Sequence, residues 1–351
     1  MKNKEVIILI CTLSILVLVA GGILIYKYIT RDKDNNALET NTEIEENTEL
    51  VVDKEKPQVQ IFKGTDRPIA VMIDNHSGAW PQANLNQAYM VYEIVVEGGE
   101  TRLMAVFKGR NVDKIGPVRS SRHYFLDYAL ENDAIYVHYG WSPQAESDIK
   151  TLGINNINGI TESSSSFWRV KDKSSPHNVL TSTENILKIA ERNQYKTSSQ
   201  KESVLKYSAE EVQLTSEDSI VANKIVIPHS KLQTVTYEYN AEQKTYTRYA
   251  RGNIQKDYDT GADVTTKNII ITKCDNYDLS DSENKGRQGL KNIGTFDGYY
   301  ITNGKAIKIK CTKSARNAQT VYKDLQGNEI NVNDGNTFVN ICPTDAKIVI
   351  E

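Results

Sequence analysis

The chain has 351 residues, a formal net charge of -3 and four cysteines. This length is sufficient for more than one domain with a sizeable core. The charge lacks the strongly basic balance of nucleic-acid-binding proteins, so we expect no nucleic-acid partner. The cysteines contain no CxxC pair and no zinc-ligand spacing, so we expect no metal site and no cofactor. Buried free thiols are expected at Cys274, Cys311 and Cys342, with a Cys311–Cys342 disulfide as the alternative.

An uncharged apolar run of 21 residues, 6–26, lies near the N-terminus. A helix of this length spans about 30 Å, which is the hydrocarbon thickness of a bilayer. We therefore predict a transmembrane anchor over residues 6–28, after a cytoplasmic end of residues 1–5. Long domains that follow such an anchor are translocated largely regardless of charge, so the folded part is expected outside the cytoplasm. Residues 29–57 are polar and acidic, which predicts a disordered stalk.

Residues 58–195 combine short apolar strands with helical patterns, which predicts an N-terminal α+β or α/β domain. Gly116-Pro117 precedes an apolar helical pattern, and proline is favoured in a first helical turn, so a helix is predicted from Pro117 to about Asn132. Ser142-Pro143 has the pattern of a helix N-cap and first turn. Thr181 and Glu184 form a capping-box pattern that opens a helix over 182–193. The predicted strands are 69–73, 89–96, 101–107 and 134–140.

Residues 196–223 are polar and rich in Ser, Lys and Glu, which predicts a linker or an excursion between domains. From residue 224 to 351 the sequence consists of short, alternating, aromatic-rich segments. Turn dipeptides such as Asn303-Gly304 and Asp334-Gly335 separate them. This spacing predicts a β-rich, sandwich-like C-terminal domain. It contains no catalytic constellation, so we expect a structural or partner-binding role for it.

Three arginines, Arg102, Arg119 and Arg122, are expected to lie close together in the folded chain. Arg119 and Arg122 fall in the first turns of the predicted helix, where the helix dipole disfavours a cation by about 0.3–1 kcal/mol. A compensating anion could be a phosphate or carboxylate of a ligand, held by the two guanidinium groups together with free helix N–H groups. It could equally be one of the protein's own carboxylates, at Glu93, Glu97 or Asp74. Both alternatives remain open, and a carboxylate could share an arginine with a ligand.

Strand ends that feed helix starts are where open α/β sheets place their sites, and this favours a ligand site near the end of the strand 134–140. The candidate ligand-binding residues are Asp74, Asn75, Glu93, Glu97, Arg102, Arg119, Arg122, His138 and Ser142. A catalytic version would use His138 with Asp74 or Glu97. The segment from Gly140 to Gln144 lacks the second glycine of a nucleophile elbow, and Ser142 is expected to cap a helix. No catalytic residue is therefore assigned.

Several motifs of the first region occur together with a β-rich C-terminal part, over most of residues 60–350. They are Met72-Ile73-Asp74-Asn75-His76, Pro81-Gln82, Val91-Tyr92-Glu93, Glu97-Gly98-Gly99, Thr101-Arg102, Gly116-Pro117-Val118-Arg119-Ser120-Ser121-Arg122, His138-Tyr139-Gly140 and Pro176-His177-Asn178. With this combination the chain resembles the YerB-type family of bacterial envelope proteins.

The resemblance implies an envelope location and supplies no substrate, cofactor or catalytic residue, because the family is one of unknown function. Many members look like lipoproteins, but Cys11 follows Ile8-Leu9-Ile10 and lacks a lipoprotein processing signal. In this chain a transmembrane anchor would replace the lipid.

Three hypotheses follow. The first is a membrane-anchored, extracytoplasmic binding or regulatory protein with an arginine-rich site for an anionic envelope or cell-wall ligand or for an envelope protein partner. The second is an envelope hydrolase or phosphotransferase that acts on a cell-wall precursor. The third is a non-catalytic protein scaffold that docks partners through its β-rich domain.

Overall fold

A computed structural model describes residues 57–215, 217–280 and 285–351. Within these ranges the chain is mostly β-strand, with α-helices α1 (Phe125–Glu131), α2 (Pro143–Thr151) and α3 (Thr183–Arg192). The strands are β1 (Ile69–Asp74), β2 (Met90–Val95), β3 (Thr101–Phe107), β4 (Ile135–His138), β5 (Asn156–Asn158), β6 (Trp168–Arg169), β7 (Val179–Leu180), β8 (Lys206–Ser208), β9 (Ile220–Val221), β10 (Lys224–Pro228), β11 (Thr234–Asn240), β12 (Thr245–Ala250), β13 (Asn253–Ile254), β14 (Thr265–Thr266), β15 (Asn268–Lys273), β16 (Asn276–Asp278), β17 (Gln288–Leu290), β18 (Gly294–Thr302), β19 (Lys305–Lys313), β20 (Val321–Asp324), β21 (Asn331–Asn333), β22 (Thr337–Cys342) and β23 (Val349–Ile350).

One mixed sheet of eleven strands contains elements from both predicted domains. Its order is β20-β19-β18-β15-β22-β2-β3-β1-β4-β5, with β9 against β19. Strand β22 pairs in parallel with β15 on one side and with β2 on the other. The predicted linker 196–223 contains β8 and β9, which pair with β21 and β19. Backbone hydrogen bonds therefore join the two parts of the chain, and the predicted domain boundaries stay a prediction.

A smaller sheet of six strands packs against one face of the large sheet. Its order is β13-β12-β11-β10-β23, with β14 against β12. Alternate side chains of its strands, such as Ile225 and Tyr237, join the same buried cluster as Val71, Leu103 and Phe338 of the large sheet. This is the arrangement of two sheets packed face to face. The predicted β-rich C-terminal part is confirmed, and its strands are divided between both sheets.

The opposite face of the large sheet is covered by α1 and α2. Met72 and Met104 point to this side and cluster with Phe125 of α1 and Ile149 of α2. Successive residues of a strand point to opposite faces, so β1 and β3 are buried on both sides. Their continuous burial explains why both strands appear in the sequence as unbroken apolar runs.

The helix predicted from Pro117 begins only at Phe125, so this prediction is wrong over its first two turns. Val118 N donates to the Val179 carbonyl at 2.7 Å, and Arg119 N donates to the Met72 carbonyl at 2.8 Å. These bonds to neighbouring strands hold the segment extended, which overrides the local preference of proline for a first helical turn. Arg119 therefore has no free helix N–H groups beside it, and the helix-dipole argument for the arginines does not apply.

The other two helices are close to their predicted positions. Ser142 caps α2 by accepting a hydrogen bond from Ala145 N at 3.3 Å, and Pro143 is the first helical residue. Helix α3 is capped by Ser182, which accepts from Asn185 N at 3.2 Å, and not by Thr181. The predicted capping box therefore lies one residue too early.

The predicted transmembrane span, residues 6–28, lies outside the described residues. Among the residues that the structure describes, no helix is long and apolar enough to cross a membrane.

The three cysteines of the described chain are buried and unbonded, as expected. Burial is the main cause that raises the pKa of Cys274, Cys311 and Cys342 to about 12 each. The thiolate is the reactive form of cysteine, so these side chains act as small apolar groups.

Candidate functional site

An open cleft of about 390 Å³ lies where β1 ends and β3 begins. Side chains from five segments meet in it: the end of β1, the β2–β3 connection with the start of β3, the extended segment before α1, the loop before β7 and the segment before β17. The charged and imidazole groups among its described lining residues are Asp74, His76, Glu97, Glu100, Arg102, Arg119, Arg122, His177, Lys285 and Arg287.

Strand register brings the first of these groups together. Asp74 is the last residue of β1 and lies directly opposite Arg102 of β3 in the antiparallel pair. The short connection from β2 to β3 contains Gly98 and Gly99, both with positive φ (68° and 74°). Glycine adopts this conformation at no steric cost, so the loop can turn tightly and hold Glu97 beside the strand ends.

Two of the three arginines pair with carboxylates in the cleft. Arg119 Nε lies 3.1 Å from Asp74 Oδ2, and Arg122 Nε donates to Glu97. Burial alone would raise the pKa of Glu97, but the hydrogen bond and charge of Arg122 outweigh it and lower the pKa. Glu100, a third carboxylate in the lining, is paired with Arg251.

Arg102 differs from its neighbours because it is buried without a carboxylate partner. Arg102 is 7% exposed. Within the described chain, its guanidinium group donates one hydrogen bond, to the Ser120 carbonyl. None of the described carboxylates lies within 4 Å of its guanidinium group. Burial, followed by repulsion from Arg122, lowers its pKa to about 10, while Asp74 and Glu97 oppose the shift. This cation is therefore stabilised less than an ordinary exposed arginine, and a nearby anion would stabilise it.

Asp74 connects the arginines with two histidines. His177 Nδ1 lies 2.7 Å from Asp74 Oδ2, the same oxygen that contacts Arg119. Asp74 Oδ1 accepts a hydrogen bond from His76 N at 3.0 Å. The ring of His76 stacks on that of His177, with centroids 4.3 Å apart and planes 11° from parallel. Both oxygens of this carboxylate are therefore held in place.

Glu93 lies behind the cleft, between the two sheets, and pairs with none of the three arginines. Its partner is Arg248 of β12, with Nη2 2.5 Å from Glu93 Oε2, and both side chains are fully buried. Thr101 Oγ1 and Asn75 Nδ2 donate to the other oxygen at 2.7 Å and 3.2 Å. Burial alone would raise the pKa of Glu93, but the charge of Arg248 outweighs it, and the pKa is lowered.

The buried network around Glu93 extends through amide side chains. Gln255 accepts from Arg248 and donates to Gln82 Oε1 at 2.7 Å. Gln82 Nε2 in turn donates to Asn75 Oδ1 at 2.9 Å, which closes a ring behind the cleft. Buried polar groups need such partners, since an unpaired one costs about 1–3 kcal/mol. The network therefore fixes Asn75 and the end of β1.

His138 and Ser142 do not line the cleft. The structure therefore corrects their predicted placement among the ligand-binding residues. His138 is fully buried, and its Nδ1 lies 2.8 Å from the Gly140 carbonyl. Ser142 is occupied as the cap of α2. Both residues lie at or just after the end of β4, as predicted, but both are buried in the protein interior. A hydrolase built on His138 is therefore excluded by this geometry.

The burial of His138 predicts a loss of stability in acid. Burial lowers its pKa from 6.5 to about 4, so between these values the unfolded chain binds a proton that the native chain does not. The free energy of unfolding then rises with pH in this window, and about 3 kcal/mol should be lost from pH 7 to pH 4 through this residue alone. Urea denaturation at several pH values, compared between the parent chain and His138→Gln, measures it. Equal pH slopes for the two proteins would contradict this.

Six charged or imidazole residues of the cleft and of the network behind it were missed as candidates: His76, Glu100, His177, Arg248, Lys285 and Arg287. His177 was present in the sequence within Pro176-His177-Asn178, which carried part of the family resemblance, but nothing local placed it beside Asp74. Arg248 lies 155 residues from Glu93 along the chain. Only the packing of two sheets brings such distant residues together.

Family models and a relative identify the kind of protein. The N-terminal model of the family described as "Protein of unknown function (DUF3048)" matches residues 56–196, and its C-terminal model matches residues 225–339. A protein of Bacillus subtilis (strain 168) named "Putative lipoprotein YerB" is 31% identical over 291 residues, or 79% of this chain and 81% of that protein. The chain belongs to the YerB family. The resemblance seen in the sequence motifs is thereby confirmed.

A crystal structure of the YerB protein from Bacillus subtilis has the same fold. It matches with a TM-score of 0.73 at 30% sequence identity, over 84% of this chain and 99% of that chain. Both matching family models describe domains of unknown function, and a fold alone does not determine an activity.

Proposed function

We propose that this chain is an envelope protein that binds an anionic group in the cleft around Arg102. The single observation that carries the proposal is the buried guanidinium of Arg102, which has one carbonyl acceptor and no carboxylate partner among the described residues. A buried charge is costly unless it is paired. An anion in the cleft would supply that pair.

The neighbours of Arg102 define what the anion would be. Arg119 and Arg122 line the same cleft, and each uses Nε for its carboxylate. The planar guanidinium fork suits bidentate binding of phosphate or carboxylate oxygens. Three arginines against Asp74 and Glu97 leave one formal positive charge in this group, and Lys285 and Arg287 also line the cleft. An anionic group fits that balance.

The proposed location follows from the family. The name of the Bacillus subtilis relative describes a lipoprotein, and such proteins are held at the outer face of a membrane. We propose the same side of the membrane for this chain, with the apolar segment 6–28 as its anchor. The ligand would then be an anionic group of the envelope, either on a small precursor or on a partner protein.

The test is anion binding by the full chain in detergent, measured by calorimetry with inorganic phosphate and with a carboxylate such as acetate. Arg102→Met is expected to weaken binding of the preferred anion at least tenfold, because it removes the unpaired cation; one such charge-assisted contact is worth about 1.5–3 kcal/mol. The same variant should unfold at an unchanged or higher temperature, since it also removes the repulsion among the arginines.

Arg192→Met is the matched control. Arg192 ends α3, is exposed and pairs with Glu162 away from the cleft. Its replacement should leave anion affinity unchanged. Binding that survives in Arg102→Met, or a sharp loss of stability in that variant, would assign Arg102 a structural role and refute the proposal.

A further inference from the structure

Beside the arginines, the cleft contains a histidine in contact with a carboxylate, and anion binding alone does not require this pair. His177 lines the cleft with 18% of its side chain exposed. Its Nδ1 contacts Asp74 Oδ2, and within the described part of the chain its Nε2 has no hydrogen-bond partner. A carboxylate that accepts from Nδ1 fixes the imidazole tautomer, with the lone pair on Nε2. Nε2 is then the basic nitrogen of a residue that lines the anion cleft.

The surroundings of His177 hold this ring still. His76 Nδ1 accepts a hydrogen bond from Gly78 N at 3.1 Å, and its ring stacks on His177. Asp74 cannot rotate away, because His76 N holds its other oxygen. Arg119 and His177 contact the same Asp74 oxygen, so a guanidinium group and the imidazole are immediate neighbours. Acid–base catalysis needs this kind of fixed geometry.

We propose that the cleft hydrolyses a phosphodiester, with His177 as its catalytic base and Asp74 as the residue that positions it. This rests on the proposed anion binding by Arg102. The excess positive charge of the arginine group suits the negative charge of a phosphodiester. Arginines aimed at phosphate oxygens stabilise the charge that develops in the transition state.

The reaction balances without a further reactant. Nε2 of His177 takes a proton from a water molecule as the water oxygen attacks phosphorus. The bond between phosphorus and one ester oxygen breaks, and the departing oxygen takes a proton from solvent. The imidazolium then returns its proton to solvent. One diester and one water thus give one phosphomonoester and one alcohol.

Bis(p-nitrophenyl) phosphate is the probe, with p-nitrophenyl phosphate as the monoester comparison, and the full chain in detergent is the enzyme. Release of nitrophenol from the diester is expected, with a lower rate for the doubly charged monoester. His177→Asn keeps a donor to Asp74 but lacks Nε2, so kcat should fall about 10²–10⁴-fold, the usual contribution of a positioned acid–base group. Its affinity for inorganic phosphate should not change. His123→Asn, outside the cleft, is the matched control and should keep full activity.

Asp74→Asn distinguishes positioning from a purely structural role. It should lower kcat yet bind phosphate at least as tightly, because a negative charge leaves the cleft. A structural role alone would lower phosphate affinity and kcat together. That result, or a kcat equal to that of the parent chain, would rule out positioning by Asp74.

The two proposals fail in different ways. Binding of phosphate that depends on Arg102, without nitrophenol release, would overturn the hydrolase inference and leave anion binding intact. Nitrophenol release that persists in His177→Asn would also overturn it. Absence of phosphate binding and of turnover in the parent chain would overturn both.

Discussion

Replacing Arg248 with methionine is expected to lower the free energy of unfolding by about 3–5 kcal/mol, because it leaves a buried carboxylate without its counter-charge. Glu93 is fully buried, and Arg248 is its one arginine partner within the described chain. The lowered pKa of Glu93 depends chiefly on this arginine. Equilibrium denaturation in urea, followed by tryptophan fluorescence, measures the loss.

A double-mutant cycle separates the ion pair from the packing of its side chains. Glu93→Leu together with Arg248→Met removes both charges, and replacement of a whole buried pair by apolar groups is often neutral or stabilising. The double variant should therefore be more stable than Arg248→Met alone. Arg192→Met, which breaks an exposed pair, should cost less than about 1 kcal/mol. A double variant less stable than the single one would show that Arg248 acts mainly through its packing on Phe338.

Gly116→Ala is expected to destabilise the fold by about 3 kcal/mol and to abolish anion binding, since backbone strain and overpacking each cost about 1–3 kcal/mol. Gly116 has φ +143°, and a Cβ there would lie 2.7 Å from the Val179 carbonyl and 2.8 Å from Val118 N. The clash would displace the extended segment that carries Arg119. Urea denaturation and phosphate calorimetry on the same preparation test both effects.

Gly153→Ala provides the comparison for that variant. Gly153 also has a positive φ, +62°, but a Cβ at this position would point into open space. Its replacement should cost about 1 kcal/mol, the ordinary penalty for losing glycine at positive φ, and leave anion binding unchanged. Equal losses in the two variants would mean that conformation and not the close contact makes Gly116 necessary.

Much of the fold could be predicted because strand signals are local. The strands predicted over 69–73 and 101–107 lie within a residue of the observed bounds of β1 and β3. The start of α1 could not be predicted in this way. Residues 118–121 follow a proline of the kind that opens helices, but their backbone hydrogen bonds go to Met72, Gly140 and Val179, which are distant in sequence.

The candidate site stays a prediction as a ligand site, although part of its geometry was expected. A hairpin followed closely by a turn predicted that Arg102, Arg119 and Arg122 would lie close together, and all three line one cleft. The partners were not determined by sequence, since Glu93 was an equal candidate for these arginines. Its side chain instead lies between the sheets, where Arg248 from the C-terminal part reaches it.

The strand register that places Asp74 opposite Arg102 has a further consequence for the evolution of the loop between β2 and β3. Asp74 and Arg102 serve the cleft, whereas the adjacent residues Asn75 and Thr101 serve the interior network. A one-residue slip of β3 against β1 would exchange the faces of Arg102 and Thr101, because side chains alternate with a period of two, while Asp74 and Asn75 would keep theirs. It would bury a guanidinium group between the sheets and turn a hydroxyl toward the cleft. Length changes in this loop are therefore tolerable only when they leave the strand register intact.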